Sequence, residues 1–127
     1  LAGLIAGTLV LHLVFVLFGA PTVDALDKTL SLSLLAACLT AVPLAVVVGG
    51  DVGAWRRILS RSALESRAEA LAYLPAAGAM LGCWVGAFPI PLDWDRPWQA
   101  WPITCSAGVA VGHLGGLLVT AVALLVW

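Results

Sequence analysis

Four stretches of this chain carry no Asp, Glu, Lys or Arg: residues 1–23, 29–50, 70–92 and 97–127. A helix that crosses a membrane needs about 20 predominantly apolar residues, and each stretch reaches that length. In hydrocarbon the backbone must satisfy its own polar groups, which leaves helices or closed barrels. Runs this long without polar alternation exclude a barrel. Composition agrees, since 62% of the 127 residues are hydrophobic and 10% charged, where soluble domains carry about 25% charged residues. The expected fold is therefore an all-α integral membrane protein, a single domain over residues 1–127. Its four helices are expected near 1–20, 29–49, 70–88 and 103–127. A net charge of −1 gives nucleic acid no electrostatic basis for binding. The length leaves no room for a separate water-exposed catalytic domain.

Three connections join the runs. Residues 21–28 hold Asp24, Asp27 and Lys28; residues 50–69 hold Arg56, Arg57, Arg61 and Arg67 with Asp51, Glu65 and Glu69; residues 89–102 have Arg96 as their one base. Lys and Arg accumulate on the cytoplasmic side of membrane spans. The 50–69 connection is thus expected in the cytoplasm, and the other two in a lumen or outside. Within 50–69, Trp55, Ile58 and Leu59 can share one helical face, with Arg56, Arg57 and Arg61 toward water or lipid headgroups. Arg61 and Glu65 have the i,i+4 spacing of a helical ion pair. Such a helix either sets topology at the interface or holds an anionic lipid. The chain opens at Leu1, already inside an apolar run and without Met, so a truncated start is expected. A basic leader and a small-residue cleavage pattern are lacking, which argues against a signal peptide.

The third connection is the most unusual. From Phe88 to Pro102 it reads FPIPLDWDRPWQAWP, with Pro89, Pro91, Pro97 and Pro102 among Trp94, Trp98 and Trp101. Prolines at this density stop a helix. Asp93, Asp95 and Arg96 would each cost roughly 2.5–3.5 kcal/mol at the centre of a membrane helix. The segment therefore lies outside the hydrocarbon, and tryptophan suits the polar boundary of a bilayer. The two aspartates and Arg96 can form an internal ion pair or loop-fixing hydrogen bonds, contact a partner or headgroup, or act as an acid–base or metal pair.

Glycine spacing is the second strong signal. Gly78, Gly82 and Gly86 recur every fourth residue in the third run, and Gly108, Gly112 and Gly116 in the fourth. Each interior glycine costs about 1 kcal/mol of helix propensity relative to alanine. Small residues at this spacing allow two membrane helices to approach closely. A tight hairpin of the last two helices is expected, capped by the Pro-Trp connection; one stripe can instead receive a helix of a partner. Gly3 and Gly7 repeat the spacing in the first run. Pro43 is expected to kink the second. His12 and His113 fall inside apolar runs, where an ionisable residue is a functional candidate, although a neutral histidine bonded to a neighbouring helix is the commoner outcome. The odd cysteine count (Cys38, Cys83, Cys105) does not suggest a disulfide framework, with a Cys83–Cys105 bridge the one pairing left open.

There is no Ser-His-Asp arrangement, no phosphate-cradling glycine loop and no HExxH motif. No catalytic residue, metal site or cofactor is assigned. The charge-free runs also argue against a small proton-coupled transporter.

The run FPIPLDWDRPWQAWPITC closely resembles the signature of the PIG-F family of glycosylphosphatidylinositol (GPI) anchor biosynthesis. FGAP at 18–21, KT at 28–29, TAVPL at 40–44 and AWRRILSR at 54–61 follow in the family's order. The resemblance implies a fragment of a six-helix protein of the endoplasmic reticulum membrane. It also implies an accessory role: binding and stabilising the GPI ethanolamine-phosphate transferases that act on the second and third mannoses of the precursor, with phosphatidylethanolamine as donor. On that reading the transferase and membrane lipids are the partners, residues 50–69 are cytoplasmic and 89–102 lumenal. The residues expected to meet the transferase are Phe88, Pro89, Pro91, Asp93, Trp94 and Asp95, continuing through Arg96, Pro97, Trp98, Gln99, Trp101 and Pro102. The competing reading is a lipid-handling or catalytic subunit in which Asp93, Asp95 and His113 hold a phosphoethanolamine headgroup.

Overall fold

Where two helices carry glycine at every fourth position, their backbones can touch, and this contact organises the molecule. The computed structural model describes residues 1–126, all helix and connection with no strand. The helices are α1 (Ala2–Leu17), α2 (Leu26–Leu39), α3 (Ala41–Val48), α4 (Val52–Arg61), α5 (Arg67–Ala87) and α6 (Ile103–Val126). Helices α5 and α6 run antiparallel with Gly82 against Gly108 and Gly78 against Gly112. A Cβ on Gly82 or Gly108 would collide with the other's carbonyl oxygen, and one on Gly82 would lie 3.0 Å from the Gly112 Cα. At the ends of the seam Gly86 meets Thr104, while Gly116 leaves room for Leu74 and the buried Pro75, whose Cα lies 2.5 Å from the Cβ position. Proline inside a membrane helix is tolerated when neighbouring packing compensates.

A second antiparallel pair packs on this hairpin. Gly3 and Gly7 of α1 face Ala45 and Ala41 of α3, so small residues again set the approach. The first core joins Phe15, Leu32, Ala36, Ala79, Cys83, Cys105 and Val109 from α1, α2, α5 and α6. The second joins Leu44, Ile58, Ala72 and Ala76 from α3, α4 and α5. Cys83 and Cys105 are both buried and both free, so the disulfide left open by the sequence is not formed. His12 Nδ1 lies 3.4 Å from the Ser33 hydroxyl on α2, a contact with a neighbouring helix.

Among the described residues three helical stretches are long and apolar enough to cross a membrane: Leu26–Val48, Arg67–Ala87 and Ile103–Val126. The α1 helix is apolar but shorter at 16 residues, about 24 Å against a hydrocarbon thickness of about 30 Å. The expected last span reached Trp127, which lies outside the described residues. The expected second span is broken into α2 and α3 at Thr40, with φ −124° and ψ −69°. Pro43 explains the site of the break: it has no N–H for the Leu39 carbonyl four residues earlier. The Thr40 hydroxyl donates to the Ala36 carbonyl at 2.7 Å.

The 50–69 connection is helical over α4, with Ile58 fully buried as its apolar spacing suggested. Two expectations there are corrected. Arg57 does not point to water or headgroups. Its Nη2 and Nη1 donate to Glu69 Oε1 and Oε2 at 2.8 and 3.0 Å, and Nη1 also donates to the Ala63 carbonyl at 2.7 Å. Glu65 pairs with Arg57 at 3.2 Å and not with Arg61, because α4 ends at Arg61 through Ser62 in the left-handed region (φ 50°). The i,i+4 relation therefore never forms. The Ser66 hydroxyl caps α5 by accepting from Glu69 N at 3.1 Å, and Glu69 Oε2 accepts from Glu65 N at 2.7 Å.

Two outcomes are expected in the full-length protein in detergent. Gly82→Leu forces the α5–α6 backbones apart and lowers stability by about 1–3 kcal/mol or more, whereas Gly115→Ala, which meets nothing within 4 Å, does not lower the thermal midpoint and raises it to the extent that helix propensity counts there. Glu69→Gln removes the bidentate carboxylate from the Arg57 guanidinium and is expected to lower the thermal midpoint; a double-mutant cycle with Arg57→Gln measures the coupling.

Candidate functional site

The α5–α6 hairpin ends in the connection 88–102, and its shape follows from one side chain. Gln99 is buried, 8% exposed, on a single turn of 3-10 helix over Pro97–Gln99. Its Nε2 donates to the Pro89 carbonyl at 2.7 Å and the Leu92 carbonyl at 3.0 Å, and its Oε1 accepts from Arg96 N at 2.8 Å. One amide thus reaches three backbone groups of a proline-rich loop, adding to the backbone bond from Leu92 N to the Pro89 carbonyl at 3.2 Å. Proline fixes φ at four further positions, and Asp95 takes the left-handed turn at φ 49°, a region that aspartate tolerates better than most residues.

Trp101 fastens this loop to the rest of the molecule. Its indole packs on the first core together with Ala20 and Ile90. Its Nε1 donates to Thr29 Oγ1 at 3.0 Å, and that hydroxyl donates to the Pro21 carbonyl at 2.7 Å. Three separated sequence motifs therefore meet: FGAP through Pro21, KT through Thr29 and the Pro-Trp run through Trp101. Pro21 and Thr29 lie outside the expected site; the signal for them is a threonine that opens the charge-free run 29–50 a few residues after a proline.

The outer surface is formed by other members of the expected set. Phe88, Trp94 and Trp98 are 72%, 56% and 44% exposed, and Pro91, Asp93, Asp95, Arg96 and Pro97 are exposed with them. Trp94 and Trp98 form a tilted pair with centroids 5.8 Å apart and planes at 59°. Pro89, Trp101 and Pro102 are half-buried. Among the described residues no salt bridge links Asp93 or Asp95 to Arg96; of the expected alternatives the ion pair is not formed, and the side-chain hydrogen bonds that fix the loop come from Gln99. Gln99 itself faces inward and holds the loop; it offers no contact area. His113 sits ten residues into α6, about 15 Å from its start, and is not brought to Asp93 and Asp95 as the headgroup-holding alternative required. No three His, Cys, Asp or Glu side chains gather as a metal-binding group among the described residues.

Residues 1–121 match the family model described as "GPI biosynthesis protein family Pig-F". The chain belongs to that family. It is 39% identical over 110 residues to the mouse protein named "GPI ethanolamine phosphate transferase, stabilizing subunit", covering 87% of this chain and 50% of that one. The human protein of the same name is 38% identical over 109 residues, covering 86% and 50%. A Candida albicans protein named "Glycosylphosphatidylinositol anchor biosynthesis protein 11" is 39% identical over 120 residues, covering 94% and 44%. The chain thus spans about half the length of the curated Pig-F relatives it matches. No solved structure gives a significant match.

Gln99→Ala strands the Leu92 carbonyl and the Arg96 amide inside the loop and is expected to cost about 1–3 kcal/mol. Hydrogen exchange at the Arg96 amide should accelerate while the α5 and α6 amides keep their protection. Trp101→Phe retains the apolar packing and loses one hydrogen bond, a cost of about 1 kcal/mol read from the thermal midpoint.

Proposed function

We propose that this chain is membrane-embedded sequence of a non-catalytic subunit that binds and stabilises GPI ethanolamine-phosphate transferases. These are the enzymes that add phosphoethanolamine to the second and third mannoses of the anchor precursor. The observation that carries the reading is the loop at 88–102: fixed internally by Gln99, anchored by Trp101, and exposing aromatic and charged side chains. The names of the mouse and human relatives support the accessory role. A pre-ordered surface with Trp and Arg suits protein contact, because such residues dominate binding energy at interfaces and little conformational entropy remains to be lost.

In this reading α1 serves as a fourth membrane crossing beside the three longer ones, and the protein resides in the endoplasmic reticulum membrane. The arginines of α4 support a cytoplasmic side for 50–69 and hence a lumenal side for 89–102. Lumenal placement sets the loop beside a partner whose chemistry acts on a lumenal glycan. The glycine seam is occupied by α5 and α6 themselves, so contact with the transferase falls to the loop and the lipid-facing flanks.

The test is co-purification of the transferase with full-length protein carrying Arg96→Ala and Trp98→Ala at matched membrane levels. Loss of the two side chains is expected to reduce transferase recovery at least about tenfold, since two interface anchors contribute on the order of 2 kcal/mol or more. Undiminished recovery and partner stability would overturn the assignment.

A further inference from the structure

At the far end of α5, about 31 Å from the aromatic loop, α4 brings two different surfaces together. On one flank Gly53, Arg56, Arg57, Ser60 and Arg61 line an open depression of about 510 Å³. Arg57 is committed to Glu69 and Glu65. Arg56 and Arg61 are exposed and take part in no salt bridge among the described residues. The acidic groups near them are Asp51, whose Oδ1 caps α4 by accepting from Ala54 N at 3.1 Å, and Glu65, which is held by Arg57. The depression therefore keeps uncompensated positive charge.

On the other flank Trp55 and Leu59 line an apolar cleft of about 280 Å³, closed by Gly7 and Val10 of α1, by the α2–α3 break, and by Tyr73 and Ala77 of α5. The polar side chains of that lining have partners within the protein. Thr40 donates to the Ala36 carbonyl, Trp55 Nε1 to the Gly49 carbonyl at 3.0 Å, and Tyr73 shares a 2.6 Å hydrogen bond with Ser62. With those groups satisfied, the cleft suits hydrocarbon and not a polar ligand. The two surfaces adjoin along α4, where Arg56 has Val52 at i−4 and Leu59 at i+3, 78% and 65% exposed respectively. Cationic side chains and an apolar slot on neighbouring faces of one helix match the two parts of a phospholipid.

We propose that α4 and the α1–α5 cleft form a binding site for one anionic phospholipid. Its headgroup phosphate and additional negative charge lie on Arg56 and Arg61, and part of one acyl chain lies in the cleft beside Leu59 and Ala77. Clustered bases at a membrane boundary attract anionic headgroups, and the fixed cleft turns that general attraction into a defined position. The site requires a bilayer but no transferase, so its failure and that of the docking reading are separate results.

Full-length protein in phosphatidylcholine nanodiscs tests this, titrated with phosphatidylserine or with inorganic phosphate and read by native mass spectrometry and thermal midpoint. Phosphatidylserine is expected to be retained and to raise the midpoint, with no change from inorganic phosphate. Arg56→Gln with Arg61→Gln should weaken retention about tenfold. Leu59→Gln, at an exposed position that does not challenge folding, and Ala77→Leu, which fills the cleft, should each weaken it with the charges intact. Equal retention by the double-glutamine variant, equal retention of phosphatidylcholine, or an equal shift with inorganic phosphate would overturn the proposal.

Discussion

Backbone contact between α5 and α6 is the constraint on which the other features depend. Without side chains at Gly78, Gly82, Gly108 and Gly112, the two helices approach until a carbonyl of one occupies the place of a Cβ on the other. In hydrocarbon there is little hydrophobic force between helices, so close van der Waals contact holds them. That contact fixes the distance between Ala87 and Ile103, the two points from which the aromatic loop hangs. It also sets the surface of α5 against which α3 and α4 pack. Glycine weakens each helix alone and strengthens the pair, a trade that favours a hairpin over two independent spans.

The two ends of the bundle are closed by different chemistry. At the loop end a neutral amide, Gln99, and an indole, Trp101, satisfy backbone and hydroxyl groups. At the other end a charged pair, Arg57 and Glu69, ties α4 to the start of α5. Both devices are internal, which leaves Trp94, Trp98 and Arg96 free at one end and Arg56 and Arg61 at the other. With both ends fixed in this way the bundle presents preformed surfaces.

Much of this was legible in the sequence because the dominant signals are local. Charge-free runs mark helices wherever length and hydropathy suffice, and glycine every fourth residue marks close approach. The Pro-Trp run marks a rigid connection. What the sequence hid was long-range pairing. Asp93, Asp95 and Arg96 look like an ion pair because they are adjacent, yet adjacency does not fix geometry; Gln99 reaches Pro89 and Leu92 because the loop doubles back. Arg61 and Glu65 have helical spacing, yet Ser62 ends the helix between them and Glu65 turns to Arg57. Thr29 and Pro21 join the loop only once α2 is placed beside α6. The kink expected from Pro43 appears as the break at Thr40, next to Leu39, whose carbonyl four residues before the proline loses its hydrogen bond.

The central claim is that the fixed aromatic loop meets a companion polypeptide. Photo-crosslinking in native membranes tests it most directly, with a crosslinking residue at exposed Ala100 beside Trp98 in the full-length protein and a second at exposed Leu118 of α6 as reference. A covalent adduct from position 100 with an ethanolamine-phosphate transferase, stronger than any from position 118, is the predicted result. Adducts from position 100 confined to lipid or to the protein itself, while position 118 captures the transferase, would contradict the account.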